Sequence, residues 1–207
     1  MSDQKLRIGV DIATLRPPFT GIANYEVQLL SRLLRQMPDV LFLGYRIYGW
    51  QDVDETFFAS CASHDAPLAP SKGSPLRYST LVHSLRNRAR QAMFSASVET
   101  KNLTLYHAFS YRPPGRLRVP VIPVVYDLST VRHPETHPRA RLKWMEPLEK
   151  LCWEAPLIHT ISRFSASEIE SVFGVSRDKI VVVPPGVNPL FLQLKPPAEE
   201  TLAKFGV

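Results

Sequence analysis

The chain has 207 residues, 44% of them hydrophobic and 21% charged, with 19 prolines, 2 cysteines and a formal charge of +6. That length has room for one sizeable core or at most two small ones, and no apolar run approaches the ~20 residues of a membrane-spanning helix. The positive balance, with a pI near 9.5, reads equally as the mark of an anionic partner (phosphate groups, an acidic membrane surface or nucleic acid) or of a merely basic soluble protein.

The prolines cluster at strand ends and loop mouths (Pro17-Pro18, Pro113-Pro114, Pro184-Pro185, Pro196-Pro197), which reads as rigid loops on an ordered scaffold. Cys61 and Cys152 fit no metal or redox spacing and read as buried free thiols in a reducing compartment. Met1 leads within a few polar residues into a strand, so no signal peptide is read. The expected location is cytoplasmic, with any membrane contact peripheral.

In chain order, Leu6 to Ile12 forms a first strand, and the loop Ala13 to Phe19 carries Arg16 and Pro17-Pro18. Thr20-Gly21 opens a helix: Thr20 is a good N-cap, and Ile22, Tyr25, Val27, Leu29, Leu30, Leu33 and Leu34 supply a wide apolar face. The start lacks G-x-G-x-x-G, so a dinucleotide site is not expected. Gly21 allows either close backbone packing or the approach of a phosphate or sugar. Val40 to Tyr48 is a second strand, and Gln51 to Ser74 a polar stretch with one short helix around Val53 to Ala59.

From Leu76 to Val98 a helical pattern returns, with Leu81, Val82, Leu85, Ala89, Ala92 and Met93 inward. Arg77, Arg86, Arg88 and Arg90 lie on or near the other side. They read as a solvated face or as a basic amphipathic contact with an anionic membrane. Leu103 to Phe109 is a strand running into His107, Ser110 and Tyr111.

The chain is organised around Val119 to Pro138, VPVIPVVYDLSTVRHPETHP. Val121 to Tyr126 is apolar and β-branched, as a strand buried on both faces requires. At Tyr126-Asp127 it opens into a polar loop, the place where open α/β sheets bind ligands. Pro138 to Ala155 reads as one helix and Leu157 to Ile161 as a strand. Ser162 or Ser165 caps a helix to Phe173, and Gly174 is its C-terminal stop. Ile180 to Val183 is the last strand. After Phe191 come a linker, Leu194 to Pro197, and the start of a helix, Ala198 to Phe205. The order β-α-β … α-β-β-α-β-α-β predicts an α/β fold, a doubly wound Rossmann-like parallel sheet.

The polar residues of interest fall at strand carboxyl ends: Arg16, Thr20 and Gly21; His107, Ser110 and Tyr111; Tyr126 and Asp127; Ser162 and Arg163; Gly186 and Asn188. Asp127 is read either as a carboxylate that orients a hydroxyl or as the cap of a turn. His133 and His137 flank Pro134-Glu135-Thr136, but the spacing is not H-E-x-x-H and Pro134 opposes a ligand-bearing helix, so no metal is expected. Asn102-Leu103-Thr104 matches a glycosylation acceptor, without consequence in a chain lacking a signal peptide. No Ser-His-Asp or Cys-His order matches a hydrolase motif.

Five segments in order (IGVDIATLRPPFTGIANYEVQLL, LYHAF, VPVIPVVYDLSTVRHPETHP, IHTISRFSASEIESVFGV and KIVVVPPGVNPLF) resemble glycosyltransferase family 4. Its members are retaining, sugar-nucleotide-dependent enzymes of the GT-B fold, and the resemblance is to their amino-terminal, acceptor-side domain. The D-L-S … H-P-E-x-H-P wording is most similar to bacterial enzymes that build mannose-containing surface polysaccharides. The resemblance implies transfer of a sugar, mannose by this wording, from a nucleotide-sugar donor to a growing surface polysaccharide or lipid-linked glycan. It implies no cofactor beyond that co-substrate, no metal and no nucleic-acid partner.

The family resemblance places the donor's sugar and phosphates near Thr20 and Gly21, and Ser162 and Arg163 facing the interdomain cleft. Tyr126 stands where the family has a His that contacts the transferred sugar; it retains a hydroxyl but not an imidazolium charge. The candidate catalytic residues are therefore Asp127 and Tyr126. Arg16, Thr20, Gly21, His107, Ser162 and Arg163 are the candidate substrate-binding residues, and Arg86, Arg88 and Arg90 the candidate membrane contacts. Residues 1–192 are expected to form the acceptor domain and 193–207 a linker into a second, nucleotide-sugar-binding domain. The chain alone is then expected to be inactive. The alternative is a stand-alone α/β module binding an anionic glycan or a membrane surface.

Overall fold

The computed structural model describes residues 5–15, 19–46, 49–62, 80–187, 193 and 203–204, with 60–62 and 80–87 described by their backbone. The amino-terminal half runs β1 (Arg7–Asp11), α1 (Gly21–Gln36), β2 (Leu41–Arg46), β3 (Gly49–Asp52), α2 (Glu55–Ala62), α3 (Thr80–Glu99) and β4 (Leu105–Ala108). Then follow β5 (Val121–Val125), α4 (Ser129–Arg132), α5 (Arg139–Met145), α6 (Leu148–Glu154), β6 (Ile158–Thr160), α7 (Arg163–Phe173) and β7 (Ile180–Val182). Arg16, Asn188, the linker at 194–197 and nearly all of the helix at 198–205 lie outside the described residues.

The strands form one seven-stranded sheet in the order β3-β2-β1-β4-β5-β6-β7. Every pairing is parallel except β2 with β3. Strand order reverses at β1, which lies between β2 and β4, so the crevice outside the carboxyl ends of β1 and β4 is the topological switch point. This is the predicted doubly wound α/β class. Antiparallel β3 was not predicted: Gly49-Trp50-Gln51-Asp52 has no apolar alternation because, as an edge strand, it is largely exposed. Its Trp50 stacks on Phe94 of α3 at 5.9 Å and donates Nε1–H to Ser97 Oγ at 2.8 Å.

Helices cover both faces. The larger cluster joins Val10, Ile12, Leu30, Phe42 and Val124 to Ile158 and Ile169, while Leu43, Tyr45, Phe94, Val98 and Tyr106 form the second. The inward face of α3 differs from the sequence reading: Phe94 and Val98 are buried, whereas Ala89, Ala92 and Met93 are exposed. The aromatic surface of Tyr45, Trp50 and Tyr106 takes Phe94, and a helix phase is set by the partner that offers the most apolar contact.

The helix read over Pro138 to Ala155 is two helices, α5 and α6. Pro147 has no N–H to give the turn before it, and its ring crowds the preceding carbonyls, so the chain breaks at Glu146-Pro147. The loop after β5 holds short α4 and a 3-10 turn at Pro134–Thr136. Two caps are local and as expected. Thr20 Oγ1 accepts from Ala23 N at 3.3 Å, and Gly174 takes φ 63° to end α7, a left-handed position that favours glycine.

Candidate functional site

The carboxyl edge of the sheet is built from the ends of β1, β4, β5, β6 and β7. At the switch point the Asp11 carboxylate, buried at the end of β1, accepts the backbone N–H groups of Phe109 and, at 2.8 Å, of Ser110. It stitches the loop after β4 to β1. Glu26 of α1 is fully buried nearby; one oxygen accepts the hydroxyl of Thr14, in the loop after β1, and the other has no partner among the described residues. Burial raises the pKa of both carboxyls, and the charge of Asp11 raises Glu26 further. The two backbone donors at Asp11 favour its ionised form, so as pH rises Asp11 ionises first and the last proton of the pair rests on Glu26.

Next to them a hydrogen-bonded chain has its protons fixed by its last member. Tyr25 Oη donates to the Val183 carbonyl at 2.7 Å, which can only accept. Tyr25 must therefore accept from His159 Nε2–H at 2.6 Å, and His159 Nδ1 then accepts from His107 Nε2–H at 2.9 Å. Both imidazoles are neutral: burial pushes His107 down to about 3 and His159 to about 4, the neighbouring His159 adding to the effect at His107. His107, a candidate binding residue, is thus engaged through Nε2 in tying β4 to β6 and α1.

Consecutive strand residues point to opposite faces, and at the end of β5 this separates the candidate catalytic pair. Tyr126 turns inward, its ring edge-on to Tyr25 at 6.0 Å and Tyr111 at 5.4 Å, with its hydroxyl buried and without a partner among the described residues. Asp127 is exposed on the edge. Its Oδ1 accepts from Ser129 N at 2.9 Å and Ser129 Oγ at 2.6 Å, and its Oδ2 receives the Tyr111 hydroxyl at 3.4 Å. It is therefore both the cap of the turn into α4 and a carboxylate presented at the strand end. Tyr111 holds φ 70°, rare for a bulky side chain, and burial with the nearby Asp127 charge pushes its hydroxyl up to about 12.

Ser162 is the N-cap of α7: Ser165 N donates to its Oγ at 3.0 Å. The Ser162 hydroxyl donates to Ser165 Oγ at 2.9 Å, which donates to the Tyr126 carbonyl at 2.8 Å, so the cap is fastened to β5. Arg163 is exposed at the start of α7. Thr20 and Gly21 are exposed at the start of α1, and nothing described lies within 4 Å of a Cβ built on Gly21. His133 Nδ1 lies 3.6 Å from Glu135, both exposed, and Cys152 is a buried free thiol. In α3, Arg88 is exposed, and the side chain of Arg86 lies outside the described residues. A cavity lined by Lys5, Leu6, Asn102, Leu103 and Thr104 sits at the opposite, amino-terminal edge, away from these groups.

Asp11, Tyr25, Glu26 and His159 were missed by the sequence reading. Glu26 did carry a signal, since it stands four residues from both Ile22 and Leu30 on the inward stripe of α1. Asp11 is likewise the one acid in a strand otherwise apolar after Arg7.

A doubly wound sheet with an open carboxyl edge, where a carboxylate, helix starts and a glycine converge, defines a Rossmann-like ligand-handling domain. The sequence profile of Glycosyltransferase Family 4 matches residues 19–190, and the chain belongs to that family. It is 31% identical over 172 residues to the O-antigen chain mannosyltransferase B of Escherichia coli, an alignment covering 81% of this chain and 44% of that protein. A crystal structure of a glycosyltransferase from Rickettsia africae ESF-5 superposes with a TM-score of 0.47 at 15% identity, over 97% of this chain and 48% of that one. The chain therefore spans about half the length of the relatives it matches.

Proposed function

We propose that this domain is the acceptor-side half of a retaining glycosyltransferase that moves mannose from a nucleotide-sugar donor onto a growing surface polysaccharide or lipid-linked glycan. Family membership supports glycosyl transfer, and likeness to a protein named as an O-antigen chain mannosyltransferase supports the sugar and the product. In this reading Asp127 orients the acceptor hydroxyl, and the start of α1 meets the donor. No cofactor or metal takes part, and a second, donor-binding domain completes the site. The chain alone then gives no turnover.

The observation that carries the reading is Gly21. Its φ is not left-handed, and no described neighbour crowds a Cβ there. Among the described residues neither backbone conformation nor packing explains a glycine at the first position of α1. The remaining reason is a ligand that needs the space. In an active enzyme built on this domain, Gly21→Val should raise the KM for the nucleotide sugar at least tenfold while the melting temperature stays the same or rises. Unchanged donor kinetics would remove the donor from this helix start.

A second reading, contact with an anionic membrane at the inner face of the cytoplasmic membrane, is favoured by α3. There Arg88 is exposed and Met93 is 53% exposed, the mixture an interfacial helix uses. None of the described helices is long and apolar enough to cross a membrane. Vesicles rich in phosphatidylglycerol should retain the chain more than phosphatidylcholine vesicles, and the difference should shrink with salt. If Arg88→Glu leaves retention unchanged, α3 is not the contact.

A further inference from the structure

We propose that the acceptor carries an anionic group, phosphoryl or carboxylate, held by Arg141 and Arg112 beside the hydroxyl that Asp127 orients. The inference rests on the reading of this edge as the acceptor side and adds the chemical class of the acceptor.

Two guanidinium groups lock the loop after β4 onto α5. Arg112 lies 3.8 Å over the ring of Trp144 and donates Nε–H to its carbonyl at 2.8 Å. Arg141, one helical turn before Trp144, lies 4.9 Å over the ring of Tyr111, the residue before Arg112. Each partner thus gives one cation and one ring. Tyr111 reaches this position only at φ 70°, a conformation that is unfavourable for a residue of its kind. The strained backbone puts its hydroxyl on Asp127 and its ring beneath Arg141.

A structural clasp does not account for the charges. Arg112 and Arg141 are both half-buried, and among the described residues no carboxylate lies within salt-bridge distance of either. Exposed Arg132, by contrast, holds Glu168 through two hydrogen bonds of 2.7 and 3.0 Å. Withdrawing a cation from water without a counter-ion is unfavourable. A guanidinium has five N–H donors, so Arg112, bonded to the Trp144 carbonyl, and Arg141, bonded to the Tyr111 hydroxyl, each keep others for a planar oxyanion in a charge-assisted contact. Asp127 repels an anion but accepts from a hydroxyl. The arrangement therefore suits a sugar whose neutral ring lies towards Asp127 and whose charged substituent lies towards the arginines.

The test is a set of NMR titrations of the full chain with methyl α-mannoside, its 6-phosphate and methyl glucuronoside, with GDP as competitor. One or both anionic glycosides should bind roughly 10- to 100-fold tighter than the neutral one, the scale of a charge-assisted hydrogen bond. They should shift the resonances of Tyr111 and Asp127. Preference for the phosphate or the carboxylate identifies the group. Arg141→Gln should remove most of the advantage, while Arg141→Lys, which keeps the charge and the stem over Tyr111, should keep part of it. Melting temperatures of both variants separate loss of the clasp from loss of the ligand. Equal binding of neutral and anionic glycosides at this edge, or a preference that survives Arg141→Gln, overturns the inference and leaves the acceptor-side reading standing. Displacement of the anionic glycoside by GDP would assign the anion to the donor and also overturn it. If no glycoside perturbs Tyr111 or Asp127, the acceptor-side reading falls as well.

Discussion

Asp127→Asn is expected to lower turnover roughly 100-fold in an active enzyme built on this domain, with the melting temperature almost unchanged. The structure separates the two roles of this side chain. Oδ1 accepts both the N–H and the hydroxyl of Ser129, and an asparagine keeps that oxygen and the turn into α4. What it loses is the negative charge and the acceptor at Oδ2, the atom facing Tyr111. Asp127→Ala removes the cap as well, which costs about 1 kcal/mol and a few degrees of melting temperature. If the carboxylate positions or polarises a reacting hydroxyl, both variants are slow and only alanine melts early. An asparagine variant with wild-type turnover would reduce Asp127 to a cap, and the chemistry would then have to lie on the Gly21 side.

Glu26→Gln is expected to change the way stability responds to pH by one proton. A carboxyl whose folded pKa is raised binds its proton more tightly in the fold, so its contribution is full below the unfolded value and is lost as pH rises towards the folded one. Asp11 and Glu26 both behave so; the window opens in the ordinary carboxylate range near 4 and runs to about 7 for Asp11, and burial sets its upper end well above the ordinary value for Glu26. His107 and His159 have the opposite sign. Their folded pKa values, about 3 and about 4, lie below the unfolded value of 6.5, so stability is lost as pH falls through 6.5. Between pH 5 and 6 the folded state holds two extra protons on carboxyls and the unfolded state two on histidines, and these four groups cancel. Glutamine mimics protonated Glu26 and does not titrate. The stability of the variant relative to wild type should therefore climb with pH above the ordinary carboxylate range, by about 1.4 kcal/mol per pH unit for as long as folded Glu26 keeps its proton. Unfolding curves at pH 5, 6, 7 and 8 measure it. A constant offset between the two proteins would mean that Glu26 is already ionised in the fold.

Much of the fold was legible because its signals are local. Apolar runs, β-branched in β1, β5, β6 and β7 and leucine- and aromatic-bearing in β2 and β4, mark the strands, and Thr20, Ser162 and Gly174 bound their helices by hydrogen bonds or φ values confined to a few residues. The α/β alternation then implied the sheet, and with it the edge on which Thr20, Gly21, Asp127 and Arg163 lie. The break at Pro147 obeys an equally local rule and was legible, though the apolar period of Leu142, Met145, Leu148, Leu151 and Cys152 outweighed it in the reading.

What only the tertiary structure decided are the pairings between distant segments. Asp11 meets residues 98 and 99 positions away, Tyr25 meets His159 across 134 and Val183 across 158. None of these follows from a local pattern, because a side chain's partner depends on which strand lies beside its own, and strand order is fixed by helices packing on both faces. The same holds for Tyr126 and Asp127. The alternation that separates them is a property of any strand, but that Tyr126 turns into a cage of Tyr25 and Tyr111, while Asp127 meets the edge, depends on α1 and the loop after β4 closing over one face only. Sequence set which residues reach the edge; packing against the rest of the chain set which of them are still available there to a ligand.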